Sequence, residues 1–287
     1  MAVAWGIEYH SVEMTTHRAS VCLSLDFDAT SAWLARGSST VLSITRGEFG
    51  ATTGAQRILD LCQRLGISST WYVPGQTADQ YPEVVAAVAA AGHEIANHGY
   101  LHEDYTKLTS EQVRTALRRG NDALQRVTGI RPTGLRTTGD FLPEHFELFV
   151  EEGFRYSSSI WGEYVPRWAR AGYTVDEEGR ISPGPELDLV ELPVTQSLSD
   201  ACHFEIGPGP AVLVDPRRLE QIWRDEFEYL YEREPGGYLM LMLHPESIGY
   251  GARMLMLERF LDHCAAHEGV RFVTAQTLAD EFRVASS

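Results

Sequence analysis

Apolar positions along the chain follow two alternating rhythms. Short, continuously apolar runs ending in polar residues read as buried strands, and each is followed by apolar positions at helical spacing. Val21 to Phe27 is the first such strand. After it, Ala51 to Leu65 places Ile58, Leu59, Leu61, Cys62 and Leu65 on one helical face, with Gly66 as the stop. Ser69 to Val73 is the next strand, closed by Pro74-Gly75, and an Ala/Val-rich helix follows from Tyr81 to Ala91, ended by Gly92. His93 to Asn97 is short and strand-like. Thr109-x-x-Gln112 has the capping-box pattern and opens a helix reaching Thr128. Pro143 to Glu152 (helix), Phe154 to Ser158 (strand) and Leu189 to Leu192 (strand) continue the series. Asp215-Pro216 has the chemistry of a helix start, and that helix runs to Arg233. Tyr238 to Leu243 (strand), Ala252 to His267 (helix), Val270 to Thr274 (strand) and Gln276 to Arg283 (helix) complete the chain, while 182–186 and 207–210, rich in Gly and Pro, read as loops.

About seven strand-then-helix units favour an α/β fold with a parallel sheet and helices outside it. For 287 residues the natural closed form is a (β/α) barrel. An open doubly wound sheet is the alternative, but no G-x-G-x-x-G follows the first strand, so a dinucleotide site has no support. With no repeat or linker to split it, the chain is expected to be a single domain over 21–283, preceded by an N-terminal extension, 1–20. At 44% hydrophobic residues it can bury a core without disulfides. A net charge of −16 repels phosphate backbones and anionic lipid, so neither nucleic acid nor membrane is expected as a partner. Cys22, Cys62, Cys202 and Cys264 lie far apart and read as four buried thiols in a reducing compartment. The first 20 residues lack a basic start followed by an apolar run, and no segment approaches the length of a membrane-spanning helix, so a cytoplasmic protein is expected.

In such folds functional groups gather at the carboxyl ends of strands. The first strand ends Asp26-Phe27-Asp28, and period-two geometry puts both carboxylates on one face, where a metal or hydrogen bonds must offset their repulsion. The third strand runs into His98-Gly99-Tyr100-Leu101-His102. Two histidines four apart, on one helical turn or a tight loop, can aim both rings at one point. H-x-x-x-H alone decides little; its position straight after a strand strengthens it. A carboxylate plus two imidazoles leaves coordination positions open, as a water-activating ion requires. His244-Pro245 ends another strand at the same rim, and Arg136 follows the short segment Thr133 to Leu135. The aromatic residues Trp33, Trp71, Tyr72, Tyr100, Trp161 and Trp168 could line a pocket, although single aromatic residues more often pack a core. The stretch Thr195 to Phe204 follows a strand end and could shape that pocket.

Taken together these features resemble the polysaccharide deacetylase family, the NodB-homology or carbohydrate esterase family 4 domain, over residues 21–282. Its T-F-D-D motif corresponds to Leu25-Asp26-Phe27-Asp28, its H-S/T-x-x-H motif to His98 through His102, and its L-x-x-H-P motif to Leu241 through Pro245. The resemblance implies a distorted (β/α) barrel holding zinc, or another divalent ion, on Asp28, His98 and His102. It implies Asp26 as base, His244 as acid and Arg136 as the holder of the catalytic aspartate. Two motifs depart from the pattern: the aspartates are spaced D-x-D, and Arg136-Thr137-Thr138-Gly139-Asp140 replaces R-P-P-Y-G. The run Asp26 to Leu34 is similar to a subgroup typified by the Helicobacter peptidoglycan-deacetylase-like protein, near the cyclic-imide hydrolases and allantoinases. That subgroup implies a tetrameric assembly.

The implied activity is metal-dependent hydrolysis of a non-peptide C–N bond, with activated water attacking an amide or imide carbonyl. The implied partner is a carbohydrate or small-molecule substrate: an N-acetylated sugar or, alternatively, a cyclic imide or ureide. Two readings from other classes use the same ligands: a non-haem Fe(II) oxygenase and a non-catalytic binding barrel. Neither needs both an acid and a base at the rim, which Asp26 and His244 would supply.

Overall fold

A computed structural model describes residues 17–162, 164–204 and 214–286. Its first strand, β1 (Ala19–Asp26), is buried along its whole length. The chain then forms α1 (Ser31–Ala35), α2 (Val41–Phe49), one π turn (Gly50–Gly54) and α3 (Ala55–Leu65), stopped by Gly66 at φ 66°. β2 (Thr70–Val73), α4 (Gly75–Gln80), α5 (Pro82–Ala90) and β3 (Glu94–Asn97) follow. Next come α6 (Ser110–Thr128), β4 (Gly134–Leu135), α7 (His145–Glu151) and β5 (Tyr156–Ser157). The middle of the chain supplies β6 (Arg167–Arg170), β7 (Tyr173–Val175), β8 (Ile181–Pro183), β9 (Glu186–Glu191) and α8 (Ala201–Phe204). It ends with α9 (Pro216–Arg233), β10 (Tyr238–Leu243), α10 (Pro245–Ile248), α11 (Gly251–Ala265), β11 (Val270–Phe272) and α12 (Ala275–Ala285).

The main sheet runs β10-β1-β2-β3-β4-β5-β9-β6, parallel except where β6 turns antiparallel to β9. β10 lines one side of β1. The other side is shared, with β11 beside its first half and β2 beside its second. Past β9 the chain crosses to the free edge of β10, where Ser199 bridges Met242 in parallel. That irregular stretch closes the ring, and the expected distorted (β/α) barrel results.

Alternation along the strands sorts the core into two layers. Val21, Leu23 and Leu25 face outward onto Phe227 and Leu230 of α9 and Phe260 and Leu261 of α11. Cys22 faces inward with Tyr72, Ala96, Tyr156, Val190, Tyr238 and Met240. Ala275, Leu278 and Ala279 of α12 pack onto this inner cluster. The amino end of α12 is tied to the starts of two strands: Ala275 N donates to Thr70 Oγ1 (2.8 Å) and Gln276 N to Glu94 Oε2 (3.0 Å). α12 thereby plugs the amino-terminal end of the barrel.

Several local expectations need correction. The Ser182–Glu186 segment is not a loop; it completes the β7–β8 hairpin and starts β9, because Thr174 and Ser182 pair across a turn bonded through Asp176. Cys22, Cys62 and Cys264 are buried, but Cys202 is exposed on the short helix α8. Trp71 and Trp168 pack against Phe27 and Phe282 as core residues, and Trp161 faces solvent. The segment 207–210 and most of the N-terminal extension, 1–20, lie outside the described residues. Among the described residues no helix is long and apolar enough to cross a membrane.

Candidate metal and hydrolytic centre

The end of β1 carries the first two groups. Asp26 occupies its last position, Phe27 turns outward to meet Trp71 edge-on (5.3 Å), and Asp28 returns to the inner face. The Asp28 backbone is pinned at its carbonyl, which accepts from Ser31 N (2.9 Å), Ser31 Oγ (2.7 Å) and Thr77 Oγ1 (2.8 Å). Ala29, directly after it, sits at φ 49°. Among the described residues the only other non-glycine at positive φ is His102 (57°). Left-handed backbone is costly for such residues, and both places lie at this one cluster.

The two histidines are brought together by a loop rather than a helical turn. Gly99 takes φ 69° and its N–H donates to Asn97 Oδ1 (2.7 Å). The Glu103 carboxylate gathers Tyr100 N (3.0 Å) and Leu101 N (2.9 Å), so the backbone folds back and delivers His102 opposite His98. His98 Nε2 then stands 3.4 Å from Asp28 Oδ1, and His102 Nε2 3.2 Å from Asp28 Oδ2.

Arg136 is buried and fully engaged. Its Nη1 donates to Asp26 Oδ1 (2.6 Å) and Ser24 Oγ (3.0 Å), Nε to Ser158 O (2.9 Å) and Nη2 to Ser158 Oγ (2.9 Å). Its guanidinium lies 4.1 Å over the Tyr72 ring, so Tyr72 is a wall of the barrel interior. With Oδ1 thus tied down, Asp26 turns Oδ2 toward His244 Nε2, 3.9 Å away; Asp28 Oδ2 is 4.0 Å from the same nitrogen. His244 Nδ1 meets Asp200 Oδ1 at 2.8 Å, and His244 N donates to Asp200 Oδ2 at 3.0 Å. Burial alone would push the His244 ring down, but Asp200 foremost, then Asp26 and Asp28, hold its pKa well above the usual value.

Three observations test whether Asp28, His98 and His102 suit a metal ion. First, Asp28 Oδ1 is buried with no hydrogen-bond partner. Second, His98 Nδ1 lies 2.8 Å from the Arg136 carbonyl, which only accepts, so Nδ1 carries a proton. Burial pushes the His98 pKa down against the pull of Asp26 and Asp28. The neutral ring therefore aims a bare Nε2 lone pair at a carboxylate oxygen, an arrangement that a cation resolves. Third, in a tetrahedral zinc site with bonds of about 2.0–2.1 Å, neighbouring ligand atoms lie about 3.3 Å apart. The 3.4 Å and 3.2 Å separations match this edge, and the donor atoms of all three residues fall within 4.8 Å of one another. The residues fit a divalent ion.

All six residues expected from the sequence, Asp26, Asp28, His98, His102, Arg136 and His244, thus come together at the carboxyl end of the barrel. Two further residues were not foreseen. Asp200 belongs to the 195–204 stretch that sequence alone could not orient, and it lies in the barrel seam. Glu246, two residues past His244, is buried with Oε2 unpartnered, and burial together with the Asp28 charge pushes its pKa well above the carboxylate range. The glycines of the π turn make room for this segment: a Cβ on Gly50 would lie 2.7 Å from Glu246 Cβ.

The chain is similar to known proteins over most of its length. Residues 36–156 match the polysaccharide deacetylase family. The peptidoglycan deacetylase of Helicobacter pylori is 29% identical, over 91% of this chain and 95% of that protein. A solved allantoinase superposes with a TM-score of 0.77 at 25% identity, covering 93% of this chain and 91% of the other. A peptidoglycan deacetylase-like protein of Gibberella zeae is 30% identical, over 92% of this chain and 86% of its own length. With its motifs assembled in one barrel and its relatives matched over most of their length, this chain belongs to the polysaccharide deacetylase family.

Proposed function

We propose that this deacetylase-type hydrolase is metal-dependent and cleaves non-peptide C–N bonds, with Asp28, His98 and His102 as the ligands of a divalent ion and zinc as that ion. One observation carries the proposal. His244 Nε2 faces Asp26 Oδ2 (3.9 Å) and Asp28 Oδ2 (4.0 Å), so a candidate acid and a candidate base meet beside the ligand cluster. The bound ion supplies Lewis acidity, lowering the pKa of a water toward about 7 and offsetting charge on the carbonyl oxygen.

The chain's own residues do the rest. Asp26, its Oδ1 fixed by Arg136, accepts the proton of the attacking water at Oδ2. His98, with Nδ1–H donated to the Arg136 carbonyl, keeps Nε2 free to ligate. His244, held protonated by Asp200, gives its proton to the departing nitrogen as the C–N bond breaks. Each such proton-transfer group contributes about 10²–10⁴-fold in rate.

For the substrate we propose first the N-acetyl amide of a sugar, a class supported by the names of the Helicobacter and Gibberella relatives. The allantoinase likeness supports a second class, cyclic ureides and imides, in which the broken bond lies in a ring. Assays of the zinc-loaded chain against N-acetylglucosamine oligomers, succinimide, hydantoin and allantoin separate the two. Metal analysis tests the site itself. Asp28→Ala and His98→Ala are expected to lose the ion, whereas Asp26→Asn keeps it and loses turnover by about 10²–10⁴-fold. Full metal content in Asp28→Ala or His98→Ala would refute the ligand assignment.

A further inference from the structure

A second cluster of ligand-type side chains lies outside the barrel mouth. Glu228 projects from α9 toward the carboxyl end of α11, where His263 occupies the last turn and His267 follows four residues on. Their ligand atoms all lie within 4.8 Å of one another. Glu228 Oε1 is 2.8 Å from His263 Nε2 and 3.4 Å from His267 Nε2. The three are partly exposed, His263 at 21% and His267 at 23%, so an ion can reach them and keep water on an open position.

The placing of the His267 ring suits a cation. Its Nδ1 lies 2.9 Å from the His263 carbonyl, an acceptor only, so Nδ1 carries the proton. That leaves Nε2 facing Glu228 Oε1 at 3.4 Å, close to the ligand–ligand edge of a tetrahedral zinc site, about 3.3 Å, while His263 Nε2 meets the same oxygen at 2.8 Å, a hydrogen-bond length that an ion would open. An imidazole whose other nitrogen is bonded to a backbone carbonyl is also the usual form of a metal-bound histidine. Both rings pack against aromatic neighbours. His263 and His267 pack edge-on at 4.8 Å, Phe227 lies 5.7 Å and 4.9 Å from them, and Tyr231 is 4.9 Å from His267. Two imidazoles and one carboxylate form a donor set of borderline softness, suited to zinc and its late-transition neighbours rather than to magnesium or calcium.

We propose that Glu228, His263 and His267 form a second divalent metal site of the zinc class, which clips α9 to α11 on the outside of the barrel. The competing account is a proton: a doubly protonated His267, favoured at a helix carboxyl end, would satisfy Glu228 without an ion.

The test uses the full chain with zinc alone as probe, stripped, reloaded and dialysed, with metal counted by mass spectrometry. In a chain carrying His98→Ala and His102→Ala, one zinc per chain is expected to remain. Adding His263→Gln and His267→Gln removes it and abolishes the zinc-induced rise in melting temperature. In the otherwise unaltered chain, His263→Gln with His267→Gln lowers the zinc count by one and leaves hydrolytic activity unchanged. Glu228→Gln, which keeps the packing but removes the carboxylate ligand, weakens the site. Loss of all zinc from the His98→Ala/His102→Ala chain, or an unchanged count after the glutamine pair, overturns the proposal. Because the two clusters are emptied separately, failure of one assignment is distinguishable from failure of the other.

Discussion

Asp200→Asn isolates the electrostatic part of the proposed acid. The substitution keeps the side chain's shape and a hydrogen bond to His244, but removes a buried negative charge 2.8 Å from Nδ1. Unit charges 2.8 Å apart at an effective dielectric near 20 interact by about 6 kcal/mol, which sets a ceiling. The retained amide and the nearby Asp26 and Asp28 reduce the loss toward that of one charge-assisted hydrogen bond, about 1.5–3 kcal/mol, or roughly 10–150-fold in kcat/KM. The pH dependence has a definite sign. Asp200 raises the His244 pKa, and the acid works only while protonated, so activity is lost as pH rises through that pKa. In Asp200→Asn the alkaline limb therefore moves to lower pH. A bound cation lowers the limb in both proteins, but the direction of the displacement between them is kept. The checks are steady-state kinetics from pH 5 to pH 10 and the His244 imidazole titration followed by NMR. A variant with wild-type kcat/KM and an unmoved alkaline limb would refute the assignment of His244 as an acid poised by Asp200.

Other substitutions probe the scaffold. Arg136→Ala leaves Asp26 buried without its partner, so urea denaturation is expected to show a loss of about 3–5 kcal/mol, together with lost turnover; a change below about 1 kcal/mol would mean that Asp26 is satisfied otherwise. Gly54→Ala drives a methyl group into the Pro245 backbone, with an expected cost of about 1–3 kcal/mol and a fall in kcat through displaced His244, measured by thermal melts and kinetics. Gly99→Ala forces a side chain into positive φ beside the Glu103 carboxylate, and is expected to weaken zinc retention in dialysis more than it weakens folding.

How much of this was legible in the sequence depended on the range of each interaction. The D-x-D spacing at the end of β1 set both carboxylates on one face by period-two geometry alone, and the capping box of α6 formed as written. His98 and His102 were readable as a pair, but not their route: the loop rests on Glu103 and on positive φ at Gly99 and His102, which spacing does not specify. Asp200 was hidden for a different reason. It acts on a residue 44 positions away, from a seam without periodic structure, so neither rhythm nor motif marks it. The π turn was likewise invisible, since 50–54 continues a helical pattern and only the close approach of 245–246 shows why its glycines are needed. The β7–β8 hairpin was missed because its exposed strands carry no buried face to create an apolar rhythm.

The plug formed by α12 bears on traffic through the enzyme. With Ala275, Leu278 and Ala279 packed on the inner cluster, and Thr70 and Glu94 bonding the start of the helix, the amino-terminal end of the barrel is closed among the described residues, and the site lies at the opposite rim. Substrate and products of the proposed hydrolysis would then come and go at that rim, beside Asp28 and His244. On that architecture the product that leaves last is the one that competes with substrate for the free enzyme, so its inhibition is expected to be of the competitive kind, a consequence of the way the last helix caps the fold.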